Sequence, residues 1–563
     1  MLLRRILIAA FCAISFGAAG EASRNLDDGS FVLDGTNKAD RAFQIGNDNV
    51  DQSGLLVGRK PLYSPVYQCN YTLGAFCGGE SFSRTSNATM TDAVGNLTTA
   101  PNQLFLNSAS GLTGGGTQNI TIAAGAKNYV LYCVSATGTG VVTASGAGYG
   151  SGSAVTCGTG GTSGVIISSA AGGTLTLTQS VATVSNIKFS YVTYETSLRP
   201  GDNVETTGSA YYGPRFDRTG LANGSSVTNG LWMEMSQTNY AQYTNNIANP
   251  SGWSVTSGAV TANQLTAPDG TLTAAAVSTG GLSSAQMSST YTVSLTGQYT
   301  LSIYNAPGNT PNIELIAISG SNYADIIWNA QTGAFSSNPS SGGAVFTGIT
   351  YGSSAPITYN GFYRFWITFT AAASSSTSIY IRERGSVSGY TGYPWGVQLE
   401  AGAFPTSYIP APGAATVTRN AETTTEIAPA VLASKAFIVD TGAGIAAYTA
   451  TILGLNTGIG LGETSGNALT TAFGGTQTSG NTATWTGINR SCISFGSTPR
   501  VTIDLNGGTK TTAANSPPAL TAIYLGNTNN GSAQFGGYIR GFAAYTALND
   551  NTEIKKCVMG APY

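Results

Sequence analysis

The chain contains no histidine. That single absence excludes the Ser-His-Asp triad, the Cys-His nucleophile, histidine-ligated zinc and the imidazole proton shuttle. Carboxylate-only chemistry, as in glycoside hydrolysis, is the enzymatic route it leaves open. Charge is also scarce: charged residues are 9% of the 563, and the net charge is −2. Lysine and arginine are scattered and form no basic stripe, so nucleic acid is not an expected partner. After residue 25 no long uncharged segment keeps a 3.6-residue apolar period, and no membrane-spanning helix is expected there.

What the chain does have is glycine, 74 residues of it, and long Ser/Thr/Ala/Asn runs around a 41% hydrophobic content. Short apolar runs with a period of two, divided by turn residues, predict an all-β protein. At this length one core cannot serve the whole chain, so three or four domains are expected.

Residues 1–22 form a signal-like hydrophobic segment. Two arginines, Arg4 and Arg5, precede the apolar run from Ile6, and Ala18-Ala-Gly20 offers a cleavage site. The alternative is a buried apolar plug that anchors the chain. With Cys12 set aside, six cysteines remain, and none has the paired C-x-x-C spacing of a zinc site. Their even number fits an oxidising compartment. Locality suggests the disulfides Cys69–Cys77, Cys133–Cys157 and Cys492–Cys557.

Along the chain, 23–101 is the most polar stretch and reads as an attachment or assembly region. Residues 102–200 read as an inserted small β-domain, with strand-like runs at Tyr129-Val-Leu-Tyr-Cys133 and Thr174-Leu-Thr-Leu-Thr178. A connecting region spans 201–239. Residues 240–410 carry aromatic-rich strands such as Tyr299-Thr-Leu-Ser-Ile-Tyr304 and Phe362-Tyr-Arg-Phe-Trp-Ile-Thr-Phe369. There Val397, Leu399 and Ala401 alternate with Gln398 and Glu400, as in a strand with one buried face. Residues 411–563 form the last domain.

Several of these stretches read together as a family. Tyr390-Thr-Gly-Tyr-Pro-Trp-Gly-Val-Gln-Leu-Glu400, with Asn246-Ile-Ala-Asn-Pro-Ser-Gly-Trp253 upstream, resembles the closing part of a carbohydrate-binding-module-like jelly roll. Thr418-Arg-Asn-Ala-Glu422 resembles the bridge from such a jelly roll to a concanavalin A-like domain. Phe82-Ser-Arg-Thr-Ser-Asn-Ala-Thr89, Gly213-Pro-Arg-Phe-Asp217 and Asn229-Gly-Leu-Trp-Met-Glu-Met-Ser-Gln-Thr-Asn239 resemble further elements of the same family, the appendage proteins (head fibres, tail fibres, spikes) of tailed bacteriophages. The resemblance covers roughly 82–101 and 213–563. It implies a jelly roll followed by a concanavalin A-like sandwich, a homotrimer on the virion surface, and as partners host-surface glycans and other virion proteins.

Sugars are bound by aromatic faces with a few planar polar groups, because pyranose C–H faces are apolar and hydroxyls need partners. Trp328, Tyr323, Tyr351, Tyr359, Tyr390 and Tyr393 stand in turn-like or loop-edge contexts and could form such a platform, or a subunit contact. Arg382 and Arg384 could fork onto acidic sugars. Trp253, Trp366 and Trp395 lie in strand patterns and are expected in the core.

Glu383, Glu400 and Glu463 could be offered as a glycosidase pair, which needs two carboxyls roughly 5–10 Å apart, but nothing in their spacing supports it. Glu383, between two arginines, is expected in a salt bridge. No enzyme activity and no cofactor are therefore expected. Sandwiches of these kinds often hold structural calcium, but no acid-rich loop supports it here, and Asp269 and Asp325 are the weak candidates. A secreted bacterial adhesin or lectin is the alternative to the virion reading, and a carboxylate-dependent glycan hydrolase is a third.

Overall fold

Short alternating strands can bury their apolar faces only between sheets, and the chain folds as stacked antiparallel sheets. The computed structural model describes three short strands between residues 22 and 44 and then residues 65–548. Within the latter it leaves aside chiefly 123–126, 147–153, 159–164, 193–205, 222–226, 355–360, 443–449, 456–459, 464–468, 472–488, 496–499, 514–518 and 528–534. Among the described residues helix is limited to single turns at Tyr71–Leu73 and Pro429–Leu432. No helix among them is long and apolar enough to cross a membrane. Ala22–Arg24, Ser30–Leu33 and Ala42–Gln44 make a small antiparallel sheet.

The C-terminal sandwich draws on three distant parts of the chain. Its centre is Gly537–Tyr545, which pairs with Ala436–Thr441, with Leu231–Met233 and with Tyr67–Asn70. The facing sheet runs from Leu469–Thr471 to Thr423–Glu426, and Glu80–Ser83 closes its edge. Cys69, Tyr71, Leu231 and Met233 are fully buried in the same core as Phe437, Ile493, Ile523 and Phe542. Residues 67–83 are thus not a separate attachment segment, as the polar composition of 23–101 suggested. They are too short to form a core and find one against strands that come far later in the chain.

Two modules interrupt this sandwich, each on a two-stranded neck. Asn102–Gln103 pairs with Tyr211–Tyr212, and between them lies a small sandwich of three and four strands around Leu131, Leu175, Leu177 and Phe189. Gln237–Asn239 pairs with Val417–Arg419, and between them lies the large sandwich. Its longest strand, Tyr363–Arg384, pairs with Val293–Ala306 in one sheet and then with Asn312–Ser319 and Ser284–Ser289 in the other. The changeover falls between Thr377 and Ser378, just after the small-residue run Ala371–Ser376, where the register with Val293–Ala306 shifts. Ile303, Phe365, Phe369, Ile381 and Leu399 fill the space between. Trp253 and Trp395 are buried as the strand pattern predicts, and Trp366 is half-buried.

The strand Thr391–Ala401 is buried on both faces rather than one: Gln398 and Glu400, the supposed solvent side, are as inaccessible as Val397 and Leu399. Glu400 accepts from the Thr406 amide (2.8 Å), the Thr406 hydroxyl (2.6 Å) and Gln398 Nε2 (2.7 Å). Beside it the segments that carried the family resemblance converge on one buried ion cluster. Arg84 and Arg215 both pair with Glu422 (2.5 and 2.6 Å), while Arg215 and Arg419 both pair with Glu234 (2.8 and 3.1 Å). Ser407 donates to Glu234 through its amide (2.8 Å) and hydroxyl (2.6 Å). Each ion buried here loses several kcal/mol of hydration, which only close, fully bonded partners offset. Burial raises the Glu234 carboxyl, but Arg419 and Arg215, with Ser407, more than reverse this and hold it at about 2. Burial lowers Arg84 to about 10 despite Glu422, so it remains charged at neutral pH.

Candidate functional site

At one end of the large sandwich the turns between strands border an open cleft of about 520 Å³, within the range of roughly 300–1,000 Å³ typical of small-molecule sites. Its walls are Leu265, the turn Ala306-Pro-Gly308, Gln331, Gly361, Tyr363 and Tyr393. The sheet fixes both tyrosines. Tyr363 begins the longest strand opposite Asn305, and Tyr393 pairs with Ala306. Gly308 makes the turn at φ +51°; a side chain there would collide with the Thr391 carbonyl and the Tyr393 ring. Gln331 donates from Nε2 to the Thr310 carbonyl (2.9 Å), which steadies its amide. No charged residue is among the described residues lining this cleft.

A second aromatic surface adjoins it. Phe335 and Tyr351, 41% and 40% exposed, stack with centroids 4.8 Å apart and planes inclined by 21°. The Ser353 hydroxyl next to Tyr351 donates to the Gly333 carbonyl (2.7 Å), and Gly333 lies against the Tyr363 ring. The surface therefore carries four rings, two in the cleft and two on its flank, with Gln331 as the planar polar group.

Of the residues singled out from the sequence, Tyr393 lines the cleft and Tyr351 belongs to the flanking pair. Tyr323 is exposed on the outer face of Asn322–Asn329, and Tyr390 is half-buried with its ring against Gly385. Tyr359 lies outside the described residues. Trp328 is not a platform: it is 1% exposed and packs on Phe365, because it points to the core side of its strand with Ala324 and Ile326.

Arg382 and Arg384 are brought together, but around Glu314 (2.9 and 3.0 Å) rather than around an open space. Arg382 also binds Gln286 through Nε (2.8 Å). Burial raises the Glu314 carboxyl; Arg382 and Arg384 oppose that, and Asp325 reinforces it. Asp269 accepts from the Thr271 amide and hydroxyl (3.0 and 2.6 Å), the bonding of a turn.

The expected salt bridge of Glu383 is absent as well. Its side chain points inward, opposite to both neighbouring arginines, and is fully buried. Burial raises its carboxyl to about 8, with Thr310 pulling the other way. Glu383 and Glu400 sit in different buried networks, and the side chain of Glu463 lies outside the described residues. Among the described residues two disulfides are formed, Cys69–Cys77 and Cys133–Cys157; Cys557, the partner suggested for Cys492, lies outside the described residues. Tyr363, Gln331, Phe335 and Pro307 were not singled out as site residues. The Pro307-Gly308 dipeptide was the available signal, a turn placed directly after an aromatic-rich strand.

The fold and this surface define a multidomain, disulfide-bonded β-sandwich protein with an aromatic cleft. No protein-family model matches the chain, and no curated protein matches it. Among solved structures it is similar to the N-terminal CBM22-1-CBM22-2 tandem domain of Xyn10C from Paenibacillus barcinonensis, at 10% identity and a TM-score of 0.21, over 61% of this chain and 99% of that one. It is also similar to the Trypanosoma rangeli sialidase in complex with sialic acid, at 8% identity and a TM-score of 0.20, over 51% of this chain and 60% of that one. At these values neither likeness assigns a ligand or an activity.

Proposed function

We propose that the protein is an adhesin that holds carbohydrate in the cleft between Tyr363 and Tyr393 and does not turn it over. The observation that carries this reading is the uncharged, aromatic lining of a cleft of sugar size, continued by the exposed Phe335–Tyr351 pair. Rings of this kind cover the apolar face of a pyranose, while Gln331 and the turn carbonyls meet its hydroxyls. The lining favours neutral sugars over acidic ones. The finer reading is a tailed-phage appendage at the virion surface, a homotrimer whose clustered weak sites act through effective concentration. It is supported by the motif segments of the sequence, which meet in one buried ion cluster. The second reading, a secreted adhesin, is supported by the two disulfides, which belong to an oxidising, extracellular setting.

A glycan array followed by calorimetry tests the binding. Tyr363→Ala and Tyr393→Ala are each expected to weaken a captured neutral glycan by roughly tenfold, while Tyr323→Ala leaves it unchanged. An array with no captured glycan, or affinity indifferent to both cleft substitutions, overturns the proposal. Release of reducing ends from the captured glycan overturns the non-enzymatic part. Finding the chain in purified virions, rather than cleaved and free in the medium, decides between the two settings.

A further inference from the structure

Behind the cleft, Glu383 is a buried carboxyl that the glycan reading does not use. Its strand turns Arg382 and Arg384 outward onto Glu314 and Glu383 inward, beside Ala285 and Ile313 of the adjoining strands. The Asn305 amide nitrogen donates to Glu383 Oε1 (3.1 Å) and to the Tyr393 carbonyl (3.2 Å). Thr310 is the carboxyl's other hydrogen-bonding neighbour, and neither Glu383 Oε2 nor Thr310 Oγ1 has a further partner. Glu383, Asn305 and Thr310 are all fully buried. Among the described residues the titratable groups on this side are two phenols. Tyr390 packs on Gly385, and the Tyr393 ring lines the cleft. With one amide donor and no cation, an ionised carboxylate recovers too little of its lost hydration to persist there. As a neutral acid Glu383 has a proton to give, and Thr310 Oγ1 is the acceptor left open to it.

We infer that the neutral Glu383 carboxyl is a latch that holds two walls of the cleft together and releases them when it loses its proton. Through Thr310 it holds the turn that carries Pro307 and Gly308. Through Asn305, which also binds the Tyr393 carbonyl, it holds the strand Thr391–Ala401. The same turn and strand are stitched nearer the surface. There the Asn309 amide donates to the Thr391 carbonyl (3.1 Å), and the Thr391 amide donates to Asn309 Oδ1 (2.6 Å). The carboxyl is seated against Gly392, where a Cβ would come within 2.3 Å of Glu383 Cδ and Oε2, so residue 392 must leave that space open. Once ionised, Glu383 needs water, and the seam between turn and strand is where water must enter. Burial raises the carboxyl from 4.5 to about 8, against the pull of Thr310. The folded value lies above the free one, so the latch is at full strength below about pH 4.5 and is lost as the pH rises through about 8.

The test is amide hydrogen exchange of the full chain from pH 5 to pH 9, corrected for the intrinsic rate at each pH, beside an NMR titration of its glutamate carboxyls. Protection of Asn309, Thr310 and Thr391 is expected to fall by roughly tenfold per pH unit up to about pH 8 and then level off. Leu301 and Ile367, paired at the centre of the same sheet, are expected to keep theirs. The Glu383→Gln amide donates to Thr310 and accepts from Asn305 as the acid does, so that variant is expected to hold its pH 5 protection up to pH 9. A Glu383 carboxyl that titrates near 4.5, a pH dependence unchanged in Glu383→Gln, or an equal loss at Leu301 and Ile367 overturns the inference. The carboxyl titration uses the wild-type chain and decides the matter if Glu383→Gln does not fold. Because the readout is exchange and not sugar capture, its failure is distinct from failure of the glycan proposal.

Discussion

Glu234 shows what one residue does for the junction of the domains. Its folded pKa of about 2 lies below the ordinary 4.5, so its contribution is fully present above about pH 4.5 and is lost as the pH falls towards 2. That difference corresponds to on the order of 3 kcal/mol. Urea midpoints measured from pH 6 down to pH 2 should fall through that window. Glu234→Gln should flatten the fall while lowering stability at pH 6 by about 3–5 kcal/mol, because Arg215 and Arg419 keep their charges in a buried place. A pH profile of the variant parallel to the wild type would refute this role. Strand alternation separates two residues that their supposed turn-like contexts had placed on one aromatic platform. Tyr323 and Trp328 are an odd number of positions apart on one strand, so one faces solvent and the other the core. The same parity sends Glu383 away from Arg382 and Arg384, and reading it as their salt-bridge partner ignored that rule.

At the scale of elements, strand existence was the legible part and strand environment was not. The alternation of Val397, Leu399 and Ala401 gave the strand, but nothing local told that Thr406 and Ser407 would fold back over Gln398 and Glu400. The cleft escaped for a related reason: Tyr363 and Tyr393 start two different strands, Gln331 lies in a turn, and the three meet only because the sheets align them. The motif segments carried a family resemblance without a ligand because their charged residues, Arg84, Arg215, Glu234, Arg419 and Glu422, hold the domains together. The Cys133–Cys157 bridge, spanning 24 residues, belongs to the first inserted module alone. Replacing both cysteines by serine should cost that module about 3 kcal/mol. Hydrogen exchange should then speed up across Thr117–Val192 while Val293–Ala306 keeps its protection. Loss of protection in both modules would show them to be one cooperative unit.

The described residues from 65 to 548 form a sandwich with two guests, and Gly537–Tyr545 is the strand on which its three distant contributions meet. Removing residues 537–563 should unfold the host, exposing 65–83 and 436–525 to protease. The large module has a core with no residue from that region and should resist. Equal digestion of both would argue against the division. The order in which the ribosome delivers these parts has a consequence of its own. Tyr67–Asn70 stands as a bare edge while both modules are finished behind it, and Leu231–Met233 while the large one is. Their partner, Gly537–Tyr545, is made only after both modules. A message broken off before codon 537 would therefore yield a chain with sound guests and an open host. Such a chain would be primed to pair with a neighbour's closing strand instead of its own.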